Sequence, residues 1–173
     1  MNVKFLNPFV EAAYEVLHAE TGMQMTRGEL ILDKAAYVTD EVTVIISLVG
    51  RVEGNVFYAL TEQMAVVLAS RILGDQLQGF TTLAQSGVAE LGNVITGRAS
   101  VKLAEAGFDS TISPPALLLG KGAIISTLDV ARLVVPLDCE FGSVRIHLAL
   151  REGANRGTTA QLATPARPRL SEP

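Results

Sequence analysis

The sequence predicts an α+β fold, a mostly antiparallel sheet with long helices packed on it, built as a tandem α-β-β-β duplication. Three observations carry this. Apolar, β-branched runs follow one another through short links, which suits hairpins rather than the long crossovers of a parallel sheet. Each group of runs is led by a helical segment. The two halves are also alike. "LHAETGMQM" (17–25) resembles "LAEAGFDS" (103–110), and "EGNVFYAL" (53–60) resembles "FGSVRIHLAL" (141–150).

The first helix is expected over 8–20, with Asn7 as cap, Pro8 in the first turn and Gly22 as stop. Phe9, Ala13, Val16 and Leu17 give it an apolar stripe. Three strands are expected at 29–34, 42–49 and 52–60, with Gly54 marking a bulge or a close backbone approach in the third. Thr61, followed by Glu62 and Gln63, reads as an N-cap with an acidic first turn, so a helix over 62–73 stops at Gly74. A second long helix is expected over 82–106, stopped by Gly107. Strands then return at 108–112, around 123–127, and at 132–137 and 144–150.

Composition narrows the function. The chain has 173 residues, 49% hydrophobic and 18% charged, enough for a full core and unlike a disordered chain. Aromatics are 5% with no Trp, so Val, Leu, Ile and Ala must build that core. A net charge of −4 leaves no basic excess for neutralising phosphates, which argues against nucleic acid. No apolar run reaches the ~18 residues of a membrane span, so no membrane insertion is expected. The start, "MNVKFLNPF", lacks the apolar core of a signal peptide, and the single Cys139 has no internal disulfide partner. A cytoplasmic location is therefore expected.

One helix carries the chemistry. In "SGVAELGNVITGRA" (86–99), Ser86, Glu90, Asn93 and Gly97 share an arc of about 60°. Val88, Leu91, Ile95 and Ala99 point the other way, toward a sheet. Any amphipathic helix has a wet side, and Glu-x-x-Asn occurs on many of them. Two features set this one apart. Asn is a poor helix former, yet Asn93 lies well inside the helix. Gly92 and Gly97 each weaken it by roughly 1 kcal/mol. Close approach of a partner would explain both costs, with small Ala89 and Gly97 leaving room beside the polar groups.

Other chemistry is sparse. His18 and His147 are isolated and read as ordinary structural histidines, and Cys139 as a buried or edge thiol. "GKG" (120–122) lacks phosphate-loop spacing and reads as a turn, and "GRVEG" (50–54) lacks a dinucleotide fingerprint. No Ser/His/Asp set is visible. Residues 1–152 read as the functional domain. Residues 153–173, rich in Gly, Thr, Ala and Pro with three Arg, read as a flexible tail.

Ser86, Glu90 and Asn93, followed by Pro114 and Pro115, fit a signature of Asp or Ser, three residues, Glu, two residues, Asn, and a proline some twenty residues on. With the surrounding "ELGNVITGRASVKLAEAGF…SPP", the sequence resembles the CheX proteins of the CheC/CheX/FliY phosphatase family of bacterial chemotaxis, over about residues 9–150. The first helix has no Glu-x-x-Asn, which fits members with one site per chain. The resemblance implies a CheC-like fold and hydrolysis of the aspartyl phosphate of a CheY-like response regulator. It makes Asn93 the catalytic residue that orients water, and gives Glu90 a salt bridge to the regulator's lysine. Ser86, Ala89 and Gly97 would line the docking face. Mg²⁺ would come with the phosphorylated regulator, so the resemblance implies no cofactor or metal of the chain's own. It also implies a homodimer joined through strand edges, for which the strands at 123–127 and 132–137 are the candidates. A non-catalytic adaptor for regulators or flagellar-switch proteins would use the same helix for docking, and a plain structural subunit would use it for neither.

Overall fold

The computed structural model describes residues 3–127 and 130–154. A short 3-10 turn, Val3–Phe5, leads into α1 (Leu6–Thr21). Four strands follow: β1 (Thr26–Arg27), β2 (Ile31–Asp33), β3 (Tyr37–Val38) and β4 (Val42–Gly50). Next come β5 (Val52–Leu60), α2 (Glu62–Leu73) and α3 (Thr82–Glu105). The chain continues through β6 (Ser110–Ile112), β7 (Ala116–Leu119), β8 (Ile124–Ile125), β9 (Arg132–Cys139) and β10 (Gly142–Glu152). Of the residues assigned to a flexible tail, 155–173, with Arg156, Arg167 and Arg169, lie outside those described. Gly153 donates its N–H to Arg51 O at 2.9 Å, so the contacts of β10 run one residue past 152.

The main sheet is antiparallel throughout, in the order β1–β9–β10–β5–β4–β6, with β2 also on β9 and β7 also on β4. Its strands alternate cleanly. Val44, Ile46, Leu48, Val56, Tyr58, Ile146 and Leu148 face the three helices and form the larger core. Phe57, Ala59 and Ala149 face the other way, under Tyr37 and Ile125 of the small β3–β8 sheet. The molecule is thus layered as helices, sheet and a two-stranded cover.

The duplication appears as an exchange between halves. β4 and β5 form one hairpin, and β9 and β10 the other. The outer strands cross over: β1 and β2 of the first half pair with β9, while β6 and β7 of the second pair with β4. Gly54 and Gly142 are equivalent, with φ of 135° and 144°, which makes Tyr58 and Ile146 equivalent. Those two face each other across the central β5–β10 ladder, so the pseudo-two-fold axis passes between them. Both outer strands carry the same interruption. Arg27 and Ile31 are four apart but pair with Leu137 and Val134, three apart; Ile112 and Ala116 pair likewise with Leu48 and Ile45. Each is a one-residue bulge, and Pro114 and Pro115 sit in the second.

Several sequence expectations are corrected here. α1 begins two residues before Pro8, and Asn7 does not cap it: Phe5 occupies the cap position without a side-chain bond. The anchor is hydrophobic instead, with Phe5 buried edge-on against Phe108, ring centroids 5.3 Å apart. The strand expected at 29–34 is shorter, Ile31–Asp33, and β1 precedes it, while β7 was not anticipated. β9 is not an edge strand, because β1 and β2 cover the side that β10 leaves open. By contrast, α2 has the expected bounds, with Thr61 Oγ1 accepting from Met64 N at 3.2 Å and Gly74 left-handed at its end.

Candidate active site on the long helix

α3 starts where Thr81 Oγ1 accepts the N–H of Ala84 at 3.3 Å. It packs against α1 and α2 and lies over β4. Val88, Leu91, Gly92, Ile95, Thr96 and Ala99 are buried along its inner side. Ser86 and Glu90 are exposed on the outer side, and Ala89, Asn93 and Gly97 are half-buried beside them. Asn93 Nδ2 donates to Glu90 Oε2 at 3.4 Å, a long bond between side chains one turn apart. The carboxylate and the carboxamide therefore stand together at one spot, with a free face outward.

The two glycines have different explanations. Gly97 has open space: an added Cβ would meet nothing nearer than Ile112 Cδ1 at 3.8 Å. Gly92 faces the sheet, and a Cβ there would meet Val44 Cγ1 at 3.0 Å and Tyr58 Cδ2 at 3.2 Å. The expectation that Gly92 admits a partner is corrected: it admits the sheet.

Two grooves flank the pair. One, of about 340 Å³, is lined by Ile72, Leu73, Leu83, Ser86, Glu90 and Val94. The other, of about 500 Å³, is lined by Asn93, Val94, Gly97, Arg98, Val101 and Ile112. Leu83 and Val101 are 57% and 58% exposed. Sequence reasoning passed over these apolar residues. The signal was present, because 83, 87, 90, 94, 97 and 101 alternate steps of four and three along one line of the helix.

The electrostatics leave Glu90 available. Arg98 pairs with Glu15 at 3.5 Å, and Lys102 with Glu15 and Glu11 at 2.9 and 3.2 Å, so α1 engages the cations of α3. Those carboxylates, Glu15 first, hold the Lys102 ammonium above its ordinary pKa. Glu90 has no ion-pair partner among the described residues. Nor does any group of three His, Cys, Asp or Glu suited to a metal occur among them.

The remaining sequence candidates lie elsewhere. His18 Nδ1 lies 3.2 Å from Gln24 Nε2, and Cys139 is half-buried at the end of β9. His147 is buried under the cover sheet against Tyr37, ring centroids 4.7 Å apart. Burial first, then the guanidiniums of Arg132 and Arg145, push its pKa down to about 4. Residues 120–122 form a turn, with Lys121 paired to Glu41 at 2.8 Å, and 50–54 close the β4–β5 hairpin. No helix among the described residues is long and apolar enough to cross a membrane.

Known proteins share this architecture. The family model described as chemotaxis phosphatase CheX matches residues 42–138, which include all of α3. The CheY-P phosphatase CheX of Thermotoga maritima is 23% identical over 155 residues, 88% of this chain and 99% of its own. A CheC-like superfamily protein from Shewanella sp. PV-4 superposes with a TM-score of 0.79 at 25% identity, covering 87% of this chain and 99% of that one. A chain of the CheX–CheY–BeF3–Mg²⁺ complex from Borrelia burgdorferi does so with a TM-score of 0.76 at 26% identity, covering 87% and 100%. The exchanged antiparallel duplication, the outward Glu-x-x-Asn turn of α3 and a family match over more than half its length make this chain a member of the chemotaxis phosphatase CheX family.

Proposed function

We propose that this protein hydrolyses the aspartyl phosphate of a CheY-like response regulator, with Asn93 orienting the attacking water and Glu90 docking the regulator's lysine. The observation that carries the reading is the adjacent Glu90–Asn93 pair on the open side of α3, flanked by two grooves, with Glu90 in no ion pair among the described residues. An acyl phosphate leaves as a carboxylate, so its hydrolysis needs no strong general acid. It needs an in-line water and neutralised charge. A carboxamide is no base at neutral pH, but its oxygen accepts from water and its N–H donates to a phosphoryl oxygen. Glutamine orients water in the same way in small GTPases. Glu90, exposed and in no ion pair among the described residues, offers a carboxylate to an ammonium at the partner's active site. Ser86, Ala89 and Gly97 let the partner's backbone approach, and Leu83, Val94 and Val101 supply apolar area to either side.

Mg²⁺ in this reading belongs to the regulator and neutralises phosphoryl charge there. The related complex from Borrelia, named for CheX, CheY, BeF3 and Mg²⁺, supports that division. A cytoplasmic location follows from the partner's. The reading extends to a homodimer joined at sheet edges. β2, exposed at Ile31 and Leu32 (53% and 58%), replaces β9 as an edge candidate, and the cover strand β8, within 123–127, remains one. The test is to mix the protein with phosphorylated regulators and follow phosphate release. Release accelerated in proportion to protein supports the reading, whereas binding without acceleration leaves a docking adaptor.

A further inference from the structure

Beneath the Glu90–Asn93 turn lies a polar feature that apolar packing would not require. α3 buries eight residues, and Thr96 is the one among them with a hydroxyl. Thr96 Oγ1 donates to Gly92 O at 2.8 Å, one turn back along the helix. Tyr58 Oη lies 2.8 Å from the same Oγ1. The Thr96 proton is committed to Gly92, so Tyr58 must be the donor to Thr96. The result is a directed column: Tyr58 O–H to Thr96, Thr96 O–H to Gly92 O.

Each part of this column has a cost that simple packing avoids. Both hydroxyls are fully buried, where an unbonded one is unfavourable, and Val and Phe would fill the same space without that risk. A threonine bonded to the carbonyl four residues back bends a helix slightly. Gly92 gives up helix propensity to bring the helix down onto Val44 and Tyr58. Tyr58 lies on β5 beside the pseudo-two-fold axis, paired with Val44 on one side and Ile146 on the other, at the centre of the sheet. Burial raises its pKa, so the phenol stays protonated and remains a donor.

Apolar contacts resist separation of a helix from a sheet, but they resist sliding and rotation weakly. Hydrogen bonds have direction and fix both. Asn93 lies within the single turn, Gly92 to Thr96, that the column spans. Resting on the phosphatase reading above, we propose that Tyr58 and Thr96 are positioning residues: the column sets the height and rotation of the Asn93 turn over the sheet, and so the placement of its carboxamide against the attacking water. Water orientation is the kind of catalysis most exposed to such an error, because misplacement by about 1 Å can cost 10²-fold.

The experiment uses the full chain, a phosphorylated CheY-like regulator, and the variants Thr96→Val, Thr96→Ser and Tyr58→Phe. kcat and KM are measured separately, with a melting curve for each protein. Thr96→Val and Tyr58→Phe are expected to lower kcat about tenfold or more with KM within about twofold, in protein still folded at the assay temperature. Thr96→Ser, which keeps the hydroxyl, is expected to recover most of kcat. The Asn93 side-chain amide signals in a ¹⁵N correlation spectrum should shift in Thr96→Val and return in Thr96→Ser. A purely structural role would lower the melting temperature and leave kcat of the folded protein alone. Should Thr96→Val fail to fold, Tyr58→Phe decides the question, since it removes one oxygen and leaves the Thr96–Gly92 bond. Folded variants with wild-type kcat, or a Thr96→Ser as slow as Thr96→Val, overturn the positioning role while leaving the phosphatase reading in place. An unsubstituted chain inactive on every regulator overturns that reading, and the positioning role with it.

Discussion

Removal of the Glu90 carboxylate tests docking apart from chemistry. In the free protein Glu90 is exposed, holds no ion pair among the described residues, and accepts one long bond from Asn93 at 3.4 Å. Glu90→Ala should therefore change folding stability by no more than about 0.5 kcal/mol. The nearest cations on α3, Arg98 and Lys102, are already paired with α1, so no stray charge is left behind. In the complex the balance differs. The carboxylate would meet an ammonium at an interface walled by Leu83 and Val94, partly out of water. Truncating one member of such a pair costs about 2–4 kcal/mol, or roughly 30- to 900-fold in kcat/KM. The assay is a binding titration against a regulator held active with beryllofluoride and Mg²⁺, beside turnover of the phosphorylated form. Glu90→Gln, which keeps the shape, should lose nearly as much as Glu90→Ala. Affinity unchanged by either substitution, with turnover alone reduced, would refute the docking role.

Three further outcomes are expected. His147 has a folded pKa of about 4, below the ordinary ~6.5, so the unfolded chain binds its proton first. Stability should thus be flat in this group above pH ~6.5 and fall as pH drops from there toward 4, by about 3 kcal/mol in all. Denaturant titrations of wild type and His147→Phe across that window should diverge only in slope against pH, and parallel curves would count against it. Light scattering over a dilution series should report a dimer, with Ile31→Lys and Leu32→Lys shifting it to monomer; a wild-type monomer at micromolar concentration would contradict the assembly. A chain ending at Ala154 should dephosphorylate the regulator at near wild-type rate, because at physiological salt the Debye length is about 8 Å and Arg156, Arg167 and Arg169 would contribute little. A tenfold loss, about 1.4 kcal/mol, would bring the tail into the recognition surface.

Local chemistry made part of this fold legible and left part hidden. α2 and β5 have their expected bounds because their signals are local: Thr61 caps, Gly74 stops, and Gly54 marks where the chain meets β10 backbone. The exchange of outer strands is not local. Nothing in 26–33 announces β9 as its partner, so β9 read as an edge. β7 has no local signal of its own: Pro114 and Pro115 precede it in a bulge, after which pairing with β4 resumes. The start of α1 is set by Phe5 packing on Phe108, more than a hundred residues away, which Asn7 could not signal. On α3 the periodicity that separated Glu90 and Asn93 from Val88 and Ile95 also put Gly92 on the buried line. Reading both glycines as room for a partner set that geometry aside. Tyr58 and Thr96 carry no sequence signal of their pairing, since a strand and a helix 38 residues apart must first be folded together.

In the proposed mechanism the Asn93 carboxamide orients the attacking water. Asn93→Ala removes it while sparing the sheet-facing side of α3, and at a half-buried position the fold should remain intact. The measurement is single-turnover dephosphorylation of a regulator by the variant, beside its affinity for the beryllofluoride-activated form. Stimulated hydrolysis should be abolished, leaving the regulator's own rate, while affinity should stay within about threefold of wild type, because a water-orienting contact acts in the transition state. A folded Asn93→Ala protein that dephosphorylates the regulator at the wild-type rate would remove Asn93 from the mechanism.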